Sequence, residues 1–278
     1  MADEKDVIDY YNTRESKQGY MLFLNGTKHF GYYNSNDKPW QFNKALRQME
    51  TELAKNLDLP AGSKVLDAGC GMGDVASFLA SKHGLEVTGI DILDFNIDEA
   101  QKRIKKRGLQ SLVHIHLMSY ANIDIEDEYF DAVYTMETFV HANNPAQVLR
   151  EFYRVLKPGG KLVMFEYSHD PFESMSATAV RDFTEMNKLA AMPAFQKFTH
   201  GVLENNLRKA GFKDIETQNI TPHMLPMVKV FAYIARIPVA LLTLLGKRHK
   251  LVNGMSGVIL WKHRKHFRYS IYTATKPS

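Results

Sequence analysis

The densest chemistry in the chain lies between Val65 and Asp74, where Gly69, Gly71 and Gly73 alternate, Asp67 precedes them and Asp74 follows. Glycines in such a turn let the backbone approach a ligand closely. A turn built for a nicotinamide dinucleotide follows GxGxxG, and here Asp74 stands where the last glycine would fall. Two carboxylates beside the turn would repel a pyrophosphate, which seeks free N–H groups at a helix N-terminus. A cationic nucleoside without phosphate suits the turn better, and S-adenosylmethionine carries both an ammonium and a sulfonium. Asp91 lies 18 residues beyond Gly73, at the end of the apolar stretch Glu86–Ile90. An acid at the end of a second strand can accept hydrogen bonds from both ribose hydroxyls.

The surrounding pattern supplies the elements that must hold these residues. Apolar runs at 64–67, 86–90, 113–117, 130–135 and 161–166 read as strands. Helical spacing at 41–57, 74–83, 97–107 and 146–156 alternates with them. Such alternation predicts βαβ units, a parallel sheet and right-handed crossovers. Helices are then predicted at 173–192 and 199–209, and a strand at 212–219. Two short helices are predicted within 225–245, where Pro226 and Pro238 interrupt an apolar run. Last strands are predicted at 258–261 and 269–274. The predicted class is α/β: a Rossmann-like, doubly wound, mostly parallel seven-stranded sheet with an N-terminal helical and aromatic arm and a C-terminal helical lid insertion. The arm and cap take residues 1–58 and the cofactor-binding core 59–170. The lid helices with the final strands take 171–278, within the same domain.

Composition narrows the function classes. At 278 residues and 45% hydrophobic content, the chain can bury a sizeable core. A single cysteine, Cys70, excludes a disulfide framework and a multi-cysteine zinc site, and the eleven histidines show no ligand-pair spacing, so no metal is predicted. The charged start has no apolar leader pattern, and a cytoplasmic setting follows as the expectation. The net charge of +4 hides an asymmetry: residues 225–278 hold ten Lys and Arg and no acid. That end suits an anionic surface, a diphosphate or peripheral contact with a membrane. It equally suits a merely solvated basic face.

Asp67-Ala-Gly-Cys-Gly-Met-Gly73, Gly89-Ile-Asp91, Phe130-Asp131 and Leu156-Lys-Pro-Gly-Gly160 together resemble the class I S-adenosylmethionine-dependent methyltransferases. The resemblance covers roughly residues 45–170 well. It implies that Gly69, Gly71 and Gly73 line the methionine part, with Asp67 near the ammonium through backbone or water. Asp91 would hold the ribose and Ile92 flank the adenine. Ser119 stands where the family usually has an acid for the adenine amino group, and the Tyr120 backbone N–H would reach the ring. Tyr134-Thr-Met-Glu-Thr-Phe-Val-His-Ala142 further resembles the sterol C-24, terpenoid and tocopherol-type enzymes, whose acid and histidine after the fourth strand match Glu137 and His141. The aromatic segments around Tyr10, Tyr11 and 26–32 are similar to that group's substrate-capping arm.

Methyl transfer is an in-line displacement at a sulfonium carbon, so the protein must align the acceptor at about 3 Å and exclude water. Tyr10, Tyr11, Tyr20 and Tyr33 are candidates for a cation–π face toward the sulfonium, or for packing the arm. Carbon methylation of an alkene leaves a cation that must shed a proton. An imidazole such as His141 can take it near neutrality, with Glu137 one helical turn away. Glu166, Tyr167 and His169 also stand at the sheet's carboxyl edge, where ligands of such folds bind. Met192, Phe195, Phe198 and 224–245 would roof a pocket for a small hydrophobic substrate, or pack as core or as a homo-oligomer contact. Phenol, quinone or amine methylation is the alternative within enzymes. Nucleic-acid binding rests on the basic end alone and is not expected; a non-catalytic scaffold rests on Ser119.

Overall fold

The computed structural model describes residues 4–13, 15, 24 and 26–278. The chain divides into two compact units. One comprises residues 50–166, 203–218 and 271–278, and the other residues 1–49, 167–202 and 219–270.

The first of these carries most of the sheet. Its strands are β1 (Lys64–Ala68), β2 (Glu86–Asp91), β3 (Val113–Leu117), β4 (Phe130–Met136), β5 (Leu156–His169), β6 (Lys213–Asn219) and β7 (Phe267–Thr275). They run in the order β3-β2-β1-β4-β5-β7-β6, and β1 pairs in parallel with β2 and β4. The order reverses beside β1, which leaves a crevice beyond the carboxyl ends of β1 and β4. Strands β1 and β4 are almost wholly buried, with Val65, Leu66, Ala132, Val133 and Tyr134 at 0% exposure. Burial on both faces explains why they read as continuous apolar runs instead of alternating ones. Helices α3 (Asp74–His83), α4 (Asp94–Arg107), α5 (Pro145–Val155) and α7 (Val202–Lys209) belong to this unit. Helix α5 starts at an Asn144 cap, whose side chain accepts from Gln147 N, with Pro145 in the first turn.

The other unit holds α1 (Glu4–Asn12), the first half of α2 (Phe42–Leu57), α6 (Ala177–Leu189), α8 (Thr221–Leu244) and α9 (Val252–Lys262). Leu24, Tyr33, Ala45, Leu46 and Met227 form its core cluster. The aromatic arm is tied in by hydrogen bonds: Tyr33 N donates to His223 O at 2.9 Å, and the Tyr32 ring stacks on His223 at 4.0 Å.

Two expectations fail here. The apolar stretch at 225–245 forms one continuous helix, α8, in place of two short ones. Each internal proline removes a single backbone bond, and both Lys229 and Arg236 reach solvent, so neither feature breaks it. The predicted strand at 258–261 is the end of α9. Its β-branched residues suggested a strand, but Val252, Met255 and Ile259 recur at helical spacing and are the buried ones. Gly254 permits the close approach of α8: a Cβ there would lie 3.2 Å from the Ala235 Cβ.

Candidate active site

The glycine turn leaves β1 at Ala68 and enters α3 at Asp74. Gly69 has φ +93°, and a Cβ there would stand 2.5 Å from Thr138 Oγ1. No other residue fits, on conformation and on space alike. Thr138 Oγ1 donates to Ala68 O at 2.9 Å, and Tyr120 Oη donates to Thr138 O at 3.1 Å. The loop after β4 is thereby laid directly over the turn after β1.

That loop is held from below by Glu166. One carboxylate oxygen, Oε1, accepts from Phe139 N at 2.8 Å, Thr135 Oγ1 at 3.1 Å and Thr138 N at 3.2 Å. The other, Oε2, is buried without a hydrogen-bond partner. Burial pushes the Glu166 carboxyl up to about 8 despite these donors. Glu166 thus fixes the backbone on which Glu137 and His141 stand.

The expectation of one helical turn between Glu137 and His141 does not hold. Glu137 has φ +60° and its N–H donates to Phe165 O at 2.9 Å, which continues the strand pairing. Only Phe139–His141 turns, as a short 3-10 segment. His141 is buried at 8% exposure and Glu137 is half-buried.

The carboxylates at the turn divide into two kinds. Asp74 is spoken for: Arg103 Nη1 and Arg107 Nη2 each reach it at 2.6 Å. Its charge is neutralised inside the fold, so the repulsion of a pyrophosphate rests on Asp67 and Asp91. Asp67 is buried, and its Oδ2 makes no hydrogen bond of good geometry. Burial raises its carboxyl to about 7, the neighbouring Tyr134 hydroxyl lowers it and the Asp91 charge raises it further. Tyr134, a strand residue with no local signal of a polar role, is the neighbour of Asp67 that sequence reasoning missed. Thr138 was missed for the same reason. Asp91 Oδ2 accepts from Gly71 N at 2.9 Å and Asn96 Nδ2 at 3.0 Å, and Oδ1 accepts from Leu93 N at 2.9 Å. Oδ1 keeps one lone pair for an incoming hydroxyl.

The remaining predicted contacts are placed as follows. Ile92, Ser119 and Tyr120 are half-buried beyond β2 and β3 in the same unit. Ser119 Oγ accepts from Ala121 N at 3.1 Å. In the other unit, Tyr11 presents its ring to the Lys28 ammonium at 4.5 Å. Tyr10 donates to Asn253 Oδ1 and Tyr33 donates to Pro39 O, so both hydroxyls are engaged within the protein. Tyr20 lies outside the described residues. His169, whose ring nitrogens face Asp170 O at 2.6 Å and Phe195 O at 3.0 Å, is a structural histidine of that unit.

A cationic nucleoside fits what the turn offers: an orphaned buried carboxylate oxygen at Asp67, a glycine turn closed by Thr138, and a spare acceptor on Asp91. A methyltransferase domain family matches residues 66–164, the segment that carries all three. Over 282 aligned residues the chain is 34% identical to the S-adenosyl-L-methionine-dependent Diels-Alderase iccD of Talaromyces variabilis, covering 99% of this chain and 96% of that one. It is 27% identical to 24-methylenesterol C-methyltransferase 2 of Arabidopsis thaliana, over 66% of this chain and 50% of the plant enzyme. In fold it is similar to the [4+2]-cyclase SpnF, with a TM-score of 0.75 at 22% identity, over 99% of this chain and 94% of that one. Glycine turn, paired acids and whole-length likeness agree: the chain belongs to the class I S-adenosylmethionine-dependent methyltransferases, and S-adenosylmethionine is its cofactor.

Proposed function

We propose that the protein methylates a small, largely hydrophobic acceptor of sterol, terpenoid or prenyl type at carbon, with His141 and Glu137 removing the proton. The observation that supports this most is the network joining Gly69, Thr138 and Glu166, because it fixes the Glu137–His141 loop against the cofactor turn. Bound there, the cofactor supplies an activated methyl group. The chain's own part is to hold the acceptor carbon in line with it, to exclude water, and to receive one proton. On transfer, a new C–C bond to the acceptor would form as the S–CH₃ bond of the bound cofactor broke, leaving S-adenosylhomocysteine. The resulting carbocation loses a proton to a base on this loop, His141 or Glu137.

A second reading has a specific observation in its favour. The relative matched over nearly the whole chain, at 34% identity, is by name a Diels-Alderase that depends on the same cofactor. On that reading the buried polar loop orders a polyene for [4+2] cyclisation, and no methyl leaves the cofactor. Incubation with a panel of prenylated and polyene acceptors separates the two. Methylation adds fourteen mass units and releases S-adenosylhomocysteine; cyclisation gives an isomer of unchanged mass. Labelled methyl located by NMR on oxygen or nitrogen would turn the proposal toward phenols, quinones or amines. His141→Ala is expected to cut turnover with cofactor affinity unchanged, and full turnover in that variant removes His141 from the chemistry.

A further inference from the structure

Helix α8 buries Met224, Met227 and Val228 along its first half in the usual way, but its second half is turned inside out. Its small residues Ala232, Ala235 and Val239 are buried, while Ile234, Ile237, Leu241, Leu244 and Leu245 are 55–84% exposed. A helix of a folded domain ordinarily buries its large apolar residues. Here the small ones allow close packing on α9, where Gly254 and Gly257 meet Ala235, Ala232 and Phe231. The large ones are left as one continuous stripe at 3- and 4-residue spacing.

Charge says what covers the stripe. At one end, Tyr233 and Trp261 lie 6.5 Å apart between ring centroids. Lys229 and Arg264 stand over the Trp261 ring at 5.7 and 4.5 Å, and Arg236 over Tyr233 at 5.6 Å. At the other end, Lys247 and Lys250 lie two and five residues beyond Leu245 and are exposed. None of these five cations has a carboxylate partner among the described residues, and no acid occurs in the sequence from residue 225 onward. An apolar strip with amphipathic aromatics at its edge and cations at both ends matches the boundary of an anionic bilayer. From Tyr233 to Leu245 the stripe runs about 18 Å at 1.5 Å per residue, short of a hydrocarbon core of about 30 Å. The whole of α8, at 24 residues, is long and apolar enough to cross a membrane, but Met224, Met227 and Val228 bury its first half in the protein and leave the shorter stripe for lipid, a length that suits the interface.

We infer that the exposed face of α8, with Lys247 and Lys250, docks the protein peripherally on an anionic lipid surface. That placement would let a hydrophobic acceptor enter from the membrane. Flotation of the full chain with vesicles tests it, using phosphatidylcholine alone and phosphatidylcholine mixed with phosphatidylserine. The wild type is expected to float with the mixed vesicles only, and raised salt should release it. Ile237→Glu with Leu241→Glu, and separately Lys247→Glu with Lys250→Glu, should each lower partitioning at least tenfold. Unchanged melting temperature and cofactor titration in both variants verify that the fold and cofactor site are intact. Four results would overturn the inference: no flotation of the wild type, equal flotation on neutral vesicles, flotation unaffected by either variant, or retention after alkaline extraction, which marks a spanning helix. Self-association that Ile237→Glu with Leu241→Glu abolishes while flotation is absent would assign the stripe to a second copy of the chain instead.

Discussion

On the reading that Asp67 meets the ammonium of the bound cofactor, cofactor affinity is expected to depend on pH, and the dependence can be worked from the surroundings of Asp67. Its ordinary value is 3.8, and burial raises it to about 7 in the folded protein without ligand. The folded state holds this proton more tightly than the unfolded chain does. The contribution of Asp67 to stability is thus full below about 3.8 and is lost as pH rises toward 7. A cation arriving beside the carboxylate reverses the preference, because the ionised form now has a partner. Below pH 7, binding must expel the proton, and each further unit of pH costs up to about tenfold in affinity, ~1.4 kcal/mol. Between pH 7 and 5.5, S-adenosylmethionine affinity should fall roughly tenfold. The ligand's own α-amino group, near 8 in model compounds, stays protonated across that range. Calorimetric titration at the two pH values in buffers of different ionisation enthalpy reads both affinity and proton release. Asp67→Asn should bind more weakly and without a pH slope, whereas Glu166→Gln should keep the slope. A wild-type affinity flat from pH 5.5 to 7, or a slope that survives in Asp67→Asn, refutes the reasoning.

Two further outcomes follow from the same unit. Glu166 carries a carboxyl raised to about 8, so it too stabilises the fold at low pH and loses that contribution between about 4.5 and 8. Glu166→Gln should flatten this part of the melting profile, while Glu166→Leu strands the Thr138 and Phe139 amides and should cost about 1–3 kcal/mol for each; equal melting of the two variants would show that the amides do not need the oxygen. Asp74→Asn breaks the pairs with Arg103 and Arg107 and is expected to lower stability by about 3 kcal/mol. Cofactor affinity should stay within about twofold; a large loss of affinity in a folded protein would return Asp74 to the site.

The sheet unit was legible because its residues obey one rule at a time. Parallel strands buried on both faces read as apolar runs, and Gly69 is required by conformation and space together. Asp74 misled because its partners, Arg103 and Arg107, lie a helix and a strand away in sequence. Tyr134 and Thr138 were invisible for the matching reason: a hydroxyl on a strand or in a loop gains its role only from what the fold sets opposite it. Glu137 and His141 were singled out by resemblance and spacing, but a residue at φ +60° breaks the helical turn that the spacing suggested. In the other unit, the second half of α8 defied the usual sense of amphipathicity, with alanines inward and leucines outward. A composition-based reading locates such a helix without saying which side faces the protein.

The account turns on acids at the glycine turn choosing a cationic nucleoside over a phosphorylated one. Competition calorimetry with S-adenosylmethionine and NAD on the wild type and Asp91→Ala measures that choice in one series. Tight one-to-one binding of the former, none of the latter, and a marked weakening in Asp91→Ala agree with it. Binding of NAD at this turn with no heat from S-adenosylmethionine would contradict it.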